Sequence, residues 1–446
     1  MIAEFSTELN TLLMFGMLLA GVLLGYQIAF VLAGIGLFFG LSLFGMNFLG
    51  SFALNFLAVM KNYVLLAIPL FILMGNVLER SGISNKLFGA IYILSGRLPG
   101  GLAVATTILA TIFAACTGVV GASVVTMGSL SLPAMLQRGY DKRLVSGLIC
   151  AAGCLGVLIP PSIMIVVYGP VAGIPVGTLF MAAVGPGLAL ALAYMLYVLI
   201  RCTINPRLGP PMTAEEYARI TMRERARVLA TSFFPPVVLI LAVLGTIFLG
   251  IAAPTEAAAV GAFAAIVLAA CYRKFSMSMV GDACESTLRT TSMILTMTAC
   301  ATLFVSTFMA MGGGDVVEDL MLQVPYGKWG VFVVMLLIVF VLGMFLDWIP
   351  TVLVVVPIFT PIAATLGFDP VWFATMIIVA LQLSYLTPPF ALAVFYFRGV
   401  APPDVTMRDI YIAVLPYVGL QMLVLGLCAA FPDLILWLPN VLGRGL

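Results

Sequence analysis

The sequence predicts an all-α polytopic membrane protein built from inverted repeats, with two re-entrant helical hairpins and two broken helices. Three observations predict it. The 446 residues are 63% hydrophobic and only 9% charged, more apolar surface than a soluble core absorbs. Several stretches exceed the ~20 apolar residues that span hydrocarbon. One pattern recurs at a single offset, each copy with a Pro-Pro pair inside an apolar run.

The elements follow in chain order. The start, MIAEFSTELN, is acidic and lacks a basic n-region, so it does not read as a cleaved signal peptide. No soluble domain of any size is expected. Single spans are predicted at 9–26, 28–46, 63–79, 142–170, 174–200, 233–250, 255–272, 290–310, 370–397 and 410–437. Segments 48–62 and 82–97 mix polar and apolar residues and read equally as interfacial helices or as connecting loops. Stretches 100–136 and 328–364 are too long for one crossing. Each is interrupted at its middle, by CTGVVGAS (116–123) and FLDWIPT (345–351). Both read as hairpins that enter and leave on one side. Segment 201–228 reads as a solvated cytoplasmic loop and helix. Asp315, Glu318 and Asp319 read as a solvated helix start, and Thr255 and Glu256 as the first turn of a capped helix.

Basic residues fix the sidedness. If the hairpins do not cross, all of the 20 Lys and Arg except Lys61, Lys328 and Arg444 fall on one side. The positive-inside rule makes that side cytoplasmic. Both termini then lie outside, the first hairpin opens from the cytoplasm and the second from the periplasm.

Composition also excludes. With no histidine in the chain, His-ligated metals and His relays are out. The 8 cysteines are scattered in apolar context and read as packing residues; Cys150 and Cys154, one turn apart, make no metal site. No basic run reads as nucleic-acid binding.

The recurring pattern is PAMLQRGYDKRLVSGLICAAGCLGVLIPPSIMIVVYG (133–169) over PIAATLGFDPVWFATMIIVALQLSYLTPPFALAVFYF (361–397). An ungapped offset of 228 pairs Pro133 with Pro361, Gly139 with Gly367, Asp141 with Asp369, Pro160-Pro161 with Pro388-Pro389 and Tyr168 with Tyr396. The topology puts the copies on opposite sides, so they are inverted. Proline removes a helical hydrogen bond, and a carbonyl left without a partner in hydrocarbon costs several kcal/mol. A bound cation can satisfy such carbonyls. Freed amides at half-helix starts can meet an anion. Secondary transporters build midplane sites this way. Two cation sites flanking one substrate site are expected.

Asp347 is the acid placed deep in an apolar stretch. It either neutralises a cation or receives a substrate hydrogen bond, or it caps the helix start at Pro350 and Thr351. Thr117, Ser123 and Thr126 at the first tip, and Thr351 at the second, supply hydroxyls; Gly118 and Gly121 allow close backbone approach. Asn76, Gln382 and Ser384 are expected to bond between helices.

IPLFILMGNVLERSGI (68–83), GAS followed by LPAMLQRGYD (132–141), GVLIPPSIMIVVYG, APTEAAAVGAF and LTPPF together resemble the large membrane (M) subunit of tripartite ATP-independent periplasmic (TRAP) transporters, over essentially the whole chain. The resemblance implies an elevator-type transporter for sodium-coupled import of an organic acid across the bacterial inner membrane, and not an enzyme. It implies Na+ as coupling ion with no transition metal, a small membrane subunit on a separate chain, and a periplasmic substrate-binding protein. Carried over by motif, sodium falls to Gly118, Ser123, Gly156, Ile159 and Pro161, and to Gly343, Thr351, Thr387 and Pro389. Substrate falls to Thr117, Gly121, Ser162, Asp347, Pro350 and Pro388. The tip TGVVGAS is less serine-rich than the family pattern. The expected division is a scaffold and interfacial arm at 1–98, a first transport repeat at 99–170, linking and scaffold helices at 171–290, a second transport repeat at 291–400 and a C-terminal helix at 401–446. A self-sufficient sodium/anion symporter of similar architecture is the main alternative; a channel and a polytopic membrane enzyme are the others.

Overall fold

A computed structural model describes residues 5–117, 119–219 and 221–443, with the side chains of 84, 85, 94, 114–117, 214, 216 and 219 outside that description. The described residues form helices and no strand. In order these are α1 (Thr7–Leu23), α2 (Ile28–Phe44), α3 (Phe48–Met60), α4 (Ala67–Arg80), α5 (Ile83–Ser95), α6 (Gly101–Thr117), α7 (Val120–Gln137), α8 (Lys142–Leu158), α9 (Ile163–Ala172) and α10 (Val176–Ile204). The short α11 (Ala214–Arg219) and α12 (Met222–Val228) follow. Then come α13 (Phe234–Phe248), α14 (Pro254–Cys271), α15 (Met277–Ala310), α16 (Gly313–Leu322), α17 (Gly327–Phe345), α18 (Trp348–Thr365), α19 (Pro370–Ser384), α20 (Leu392–Arg398), α21 (Met407–Ala430) and α22 (Asp433–Leu442).

The repeat is wider than the Pro-Pro segments. The offset of 228 carries the ends of α7, Val120 and Gln137, onto those of α18, Trp348 and Thr365, and Lys142 of α8 onto Pro370 of α19. To within a turn it carries α1 onto α13, α2 onto α14, α5 onto α16 and α10 onto α21. One pair differs: α3 and α4 are separated by a bend at 61–66, whereas their counterpart α15 is a single helix of 34 residues. With the hairpins not crossing, α1, α2, α4, α8–α9 and α10 make an odd number of passages, which inverts the second half.

Both interrupted stretches are helical hairpins. α6 ends at Thr117 and α7 begins at Val120, and α17 and α18 meet at Leu346-Asp347. Segments 48–62 and 82–97 are helices, α3 and α5. Two boundaries differ from the sequence reading. α15 begins at Met277, before 290, because a helix leaving the membrane keeps its hydrogen bonds while carrying Asp282, Glu285 and Arg289 into water. The 410–437 stretch is two helices, α21 and α22, separated at Phe431-Pro432.

The broken helices are the innermost elements. From Leu144 to Leu158 every residue of α8 is buried, as is every residue of α19 from Trp372 to Ser384. Between membrane helices close packing replaces the hydrophobic drive, so small residues set the approach. A Cβ on Gly147 would lie 2.2 Å from the Ala413 carbonyl oxygen of α21. α2, α4, α14 and α15 form a second group, joined most closely through α4 with α14, α2 with α15 and α4 with α15.

Candidate functional site

α8 starts at Asp141, whose carboxylate accepts from the Leu144 amide at 2.9 Å. It ends where Ile159 turns extended (φ −76°, ψ 124°) and α9 departs at 40°. The amides that would bond Gly156 and Val157 belong to Pro160 and Pro161, which have none. The Ser162 hydroxyl donates to the Val157 carbonyl instead. The Gly156 carbonyl has lost its helical partner. Pro160, Pro161 and Ser162 are buried; Ile159 is half-buried, its side chain against Gly187 of α10.

α19 repeats the design. Asp369 caps it, accepting from Trp372 at 2.8 Å, and Pro388 and Pro389 orphan the carbonyls of Ser384 and Tyr385 by the same logic. Here both are recaptured, Ser384 by the Thr387 amide at 3.2 Å and Tyr385 by the Ala393 amide at 3.2 Å. The Thr387 hydroxyl donates to Leu383 at 3.0 Å. Thr387 is half-buried, and Pro388, Pro389 and Phe390 are exposed. The Pro160-Pro161 and Pro388-Pro389 peptide bonds are both cis.

Each hairpin tip is level with its break. α7 runs antiparallel to α8, and a Cβ on Gly153 would lie 2.4 Å from Val124, which sets Val119 beside the end of α8. A Cβ on Gly343 of α17 would lie 2.4 Å from the Ser384 hydroxyl, which sets Asp347 beside the second break. Asp347 is the cap of α18: its carboxylate accepts from Trp348 at 2.8 Å, and its carbonyl accepts the Thr351 hydroxyl at 2.9 Å. Pro350 and Thr351 are buried in that first turn. Asp347 lies close to Tyr385 and Tyr396. A Cβ on Gly121, in the first turn of α7, would lie 2.9 Å from the Tyr396 ring. The two tips therefore converge on α20. Reciprocally, Tyr168 of α9 sits by Thr360 of α18, so each half-helix beyond a break leans on the other repeat's hairpin.

Of the sequence-predicted residues, Gly118 lies outside the described residues, as does the side chain of Thr117. Ser123 is buried on α7. Gly156, Ile159, Pro161 and Ser162 gather at the first break; Gly343, Asp347, Pro350, Thr351, Thr387, Pro388 and Pro389 gather at the second. Thr126 lies away from both: its hydroxyl donates to Glu79 of α4 at 2.6 Å. Asn76 bonds between helices as expected, donating to Thr287 at 3.0 Å. Ser384 instead donates to Leu381 of its own helix at 2.6 Å, and neither amide atom of buried Gln382 has a partner among the described residues. Sequence reasoning missed Tyr385 and Tyr396 as site residues, although the pairing of Tyr168 with Tyr396 pointed there.

No group of three His, Cys, Asp or Glu side chains that could hold a metal occurs among the described residues. The donors at the breaks are carbonyls, hydroxyls and one carboxylate. Such hard oxygen atoms suit an alkali or alkaline-earth cation and not a transition metal.

Inverted repeats with helices interrupted at matching depth, each interruption met by a hairpin tip, define a secondary-transporter permease. The model of the family described as "Tripartite ATP-independent periplasmic transporter, DctM component" matches residues 15–434. The chain belongs to that family, as a multi-pass large permease component. It is 32% identical to the C4-dicarboxylate TRAP transporter large permease protein DctM of Rhodobacter capsulatus, covering 98% of this chain and 100% of that protein. It is 29% identical to the 2,3-diketo-L-gulonate TRAP transporter large permease protein YiaN of Escherichia coli K12, covering 96% and 98%. The fold is similar to that of the Alcanivorax borkumensis YdaH transporter, with a TM-score of 0.64 at 16% identity over 95% of this chain and 98% of that one. Family membership removes the membrane-enzyme reading.

Proposed function

We propose that this permease imports an organic acid together with sodium ions across the bacterial inner membrane. It works with a separate small membrane subunit and a periplasmic binding protein that delivers the acid. The mirrored breaks carry this reading. At the first, Gly156 and Ile159 with Ser123 and Gly118 form an oxygen-rich site for Na+, held open by Pro161. At the second, Thr351, Thr387 and the backbone at Gly343 and Pro389 do the same. The acid sits between the tips, near Gly121, Ser162, Thr117, Pro350 and Pro388, with Asp347 balancing the ions.

Movement is of the elevator type. The hairpins and broken helices slide against α2, α4, α14 and α15, carrying the site with them. An exposed strip runs from Pro389 and Phe390 along Phe395 and Tyr396 to Gly399. It leads to Arg398, at the end that the basic residues put in the cytoplasm, and we read it as the exit. Two sodium ions entering with a monoanion move one net charge inward, releasing about 2.3 kcal/mol per 100 mV in addition to the sodium gradient.

The test is uptake into proteoliposomes. Accumulation of an organic acid is expected only with an inward sodium gradient and only with the binding protein present. Uptake without that protein favours the self-sufficient symporter. Sodium-independent uptake sinks the ion sites. Counterflow currents give the stoichiometry.

A further inference from the structure

We propose that the crevice between the α3 arm and the sliding helices is the outer half of the substrate route, an antechamber for a small hydroxylated organic acid. The proposal rests on the elevator reading above. Two cavities, of about 340 and 530 Å³, share Asn62 and Pro170 and so form one crevice. It lies on the side that the basic residues assign to the periplasm.

Its walls do not match. The static wall carries all of the polar side chains, Asn55 of α3, Asn62 of the bend, and Thr298, Thr302 and Ser306 of α15, set among Ala58, Val59, Leu65 and Val305. The facing wall is apolar, with Val167 and Val171 of α9 and Leu353 and Pro357 of α18. Polar groups at membrane depth are costly unless they meet other polar groups. The three hydroxyls are reduced to bonding their own helix, Thr298 to Ile294 at 2.8 Å, Thr302 to Thr298 at 2.8 Å and Ser306 to Leu303 at 3.0 Å. At the upper end Thr255 lines the crevice, 6% exposed, its hydroxyl without a partner among the described residues. Beside it lie Val176 and Gly177, first-turn residues of α10 whose amides have no helical acceptor.

A slide explains the mismatch. α18 runs from its polar tip, Asp347 and Thr351, to Leu353 and Pro357. Six residues of helix rise about 9 Å. An outward shift of that size brings Thr351 to the level that Pro357 now holds, so polar tip meets polar wall across the crevice. The acid would then touch Asn55, Asn62 and Thr302 through its hydroxyl and carbonyl oxygens. The wall bears no charge. Glu256 turns its carboxylate back to the Ala253 amide at 3.0 Å, and Lys61 is exposed beside Asn62. No static ion pair therefore holds the acid back when the tips leave with it.

The test uses the complete transporter with its partners in right-side-out proteoliposomes. Exposed Cys271 and Cys284 are first replaced by serine, and that parent chain serves as the blank. Asn62→Cys and Thr302→Cys are treated from outside with an anionic, impermeant methanethiosulfonate. Both are expected to react above the blank, and reaction is expected to cut uptake at least tenfold. Thr298→Val with Thr302→Val is expected to raise the apparent KM about tenfold, while Thr246→Val on α13 leaves it unchanged. Thr302→Cys reacting no faster than the blank, in a chain that still transports, overturns the antechamber. Ser306→Cys gives the same readout where Thr302→Cys fails to fold. Failure of the parent to accumulate any organic acid counts against the function, whereas outside labelling at 62 and 302 still reads the crevice.

Discussion

The two Pro-Pro breaks share motif, cis peptide bonds and flanking aspartate caps, yet one is sealed and the other open. At the first, Pro160, Pro161 and Ser162 are buried and one orphaned carbonyl is served by a side chain. At the second, Pro388 and Pro389 are exposed and both orphaned carbonyls are served by backbone amides. The bases of the repeats differ as well. Where α7 passes into α8, Arg138 bonds the Tyr92 hydroxyl, the Leu102 amide donates to the Tyr140 hydroxyl at 3.2 Å, and Lys142 and Arg143 both pair with Asp409. Where α18 passes into α19, Trp329, Phe332, Phe368 and Trp372 form an aromatic cluster. Aromatic rings occur at both bases, as they do at both membrane interfaces, whereas the paired cations cluster at the first. A duplicated backbone has thus been given two environments, and the environment decides which break is reachable.

The sharpest way to break the comparison is at the tips. Asp347 has Val119 as its counterpart, so only the second tip is charged. Asparagine caps a helix as well as aspartate does, so Asp347→Asn is expected to keep the fold but lower uptake about a hundredfold, or about 2.7 kcal/mol. Uptake at the parental rate would make Asp347 a cap alone. Next is the contact joining the repeats. Gly121→Ala is expected to cost about 2 kcal/mol by overpacking against Tyr396, seen as a lower melting temperature in detergent; Tyr396→Ala should relieve it in a double-mutant cycle.

The sealed and open breaks should then respond differently. Ser162→Ala leaves the buried Val157 carbonyl without its hydroxyl and is expected to cost about 1.5 kcal/mol. Thr387→Val, half-buried and bonded within its own helix, should barely move the melting temperature while weakening the sodium dependence of uptake. Equal stability losses would erase the distinction. The smallest effect is local. Ala391 is left-handed (φ 44°) where its counterpart Ile163 begins a regular helix. Ala391→Gly is expected to stabilise by about 1 kcal/mol, read as a higher melting temperature.

The sequence made the breaks legible because proline has no amide to give, a constraint that survives any packing. Both hairpins were legible too, because each tip interrupts a stretch far longer than one crossing. The full extent of the repeat was not. α1 and α13, or α2 and α14, share no punctuating residues, since lipid-facing positions accept almost any apolar side chain. Placing the site residues at their breaks needed only the motif. The convergence of both tips on Tyr396 needed tertiary structure, because Gly121 and Tyr396 belong to different repeats. The failure of Gln382 to find a partner helix was equally invisible, since an amide in an apolar run shows only that it needs company.

The unbroken α15 sets one more property. Its 34 residues rise about 51 Å, against roughly 30 Å of hydrocarbon. It is therefore a mast whose N-terminal end, with Asp282, Glu285 and Arg289, stands clear of the oil. Thr287 and Asp282 on the protruding length hold Asn76 and Arg80 of α4. The group formed by α2, α4, α14 and α15 thus has a foothold in water, beyond the reach of any thinning or swelling of the surrounding lipid.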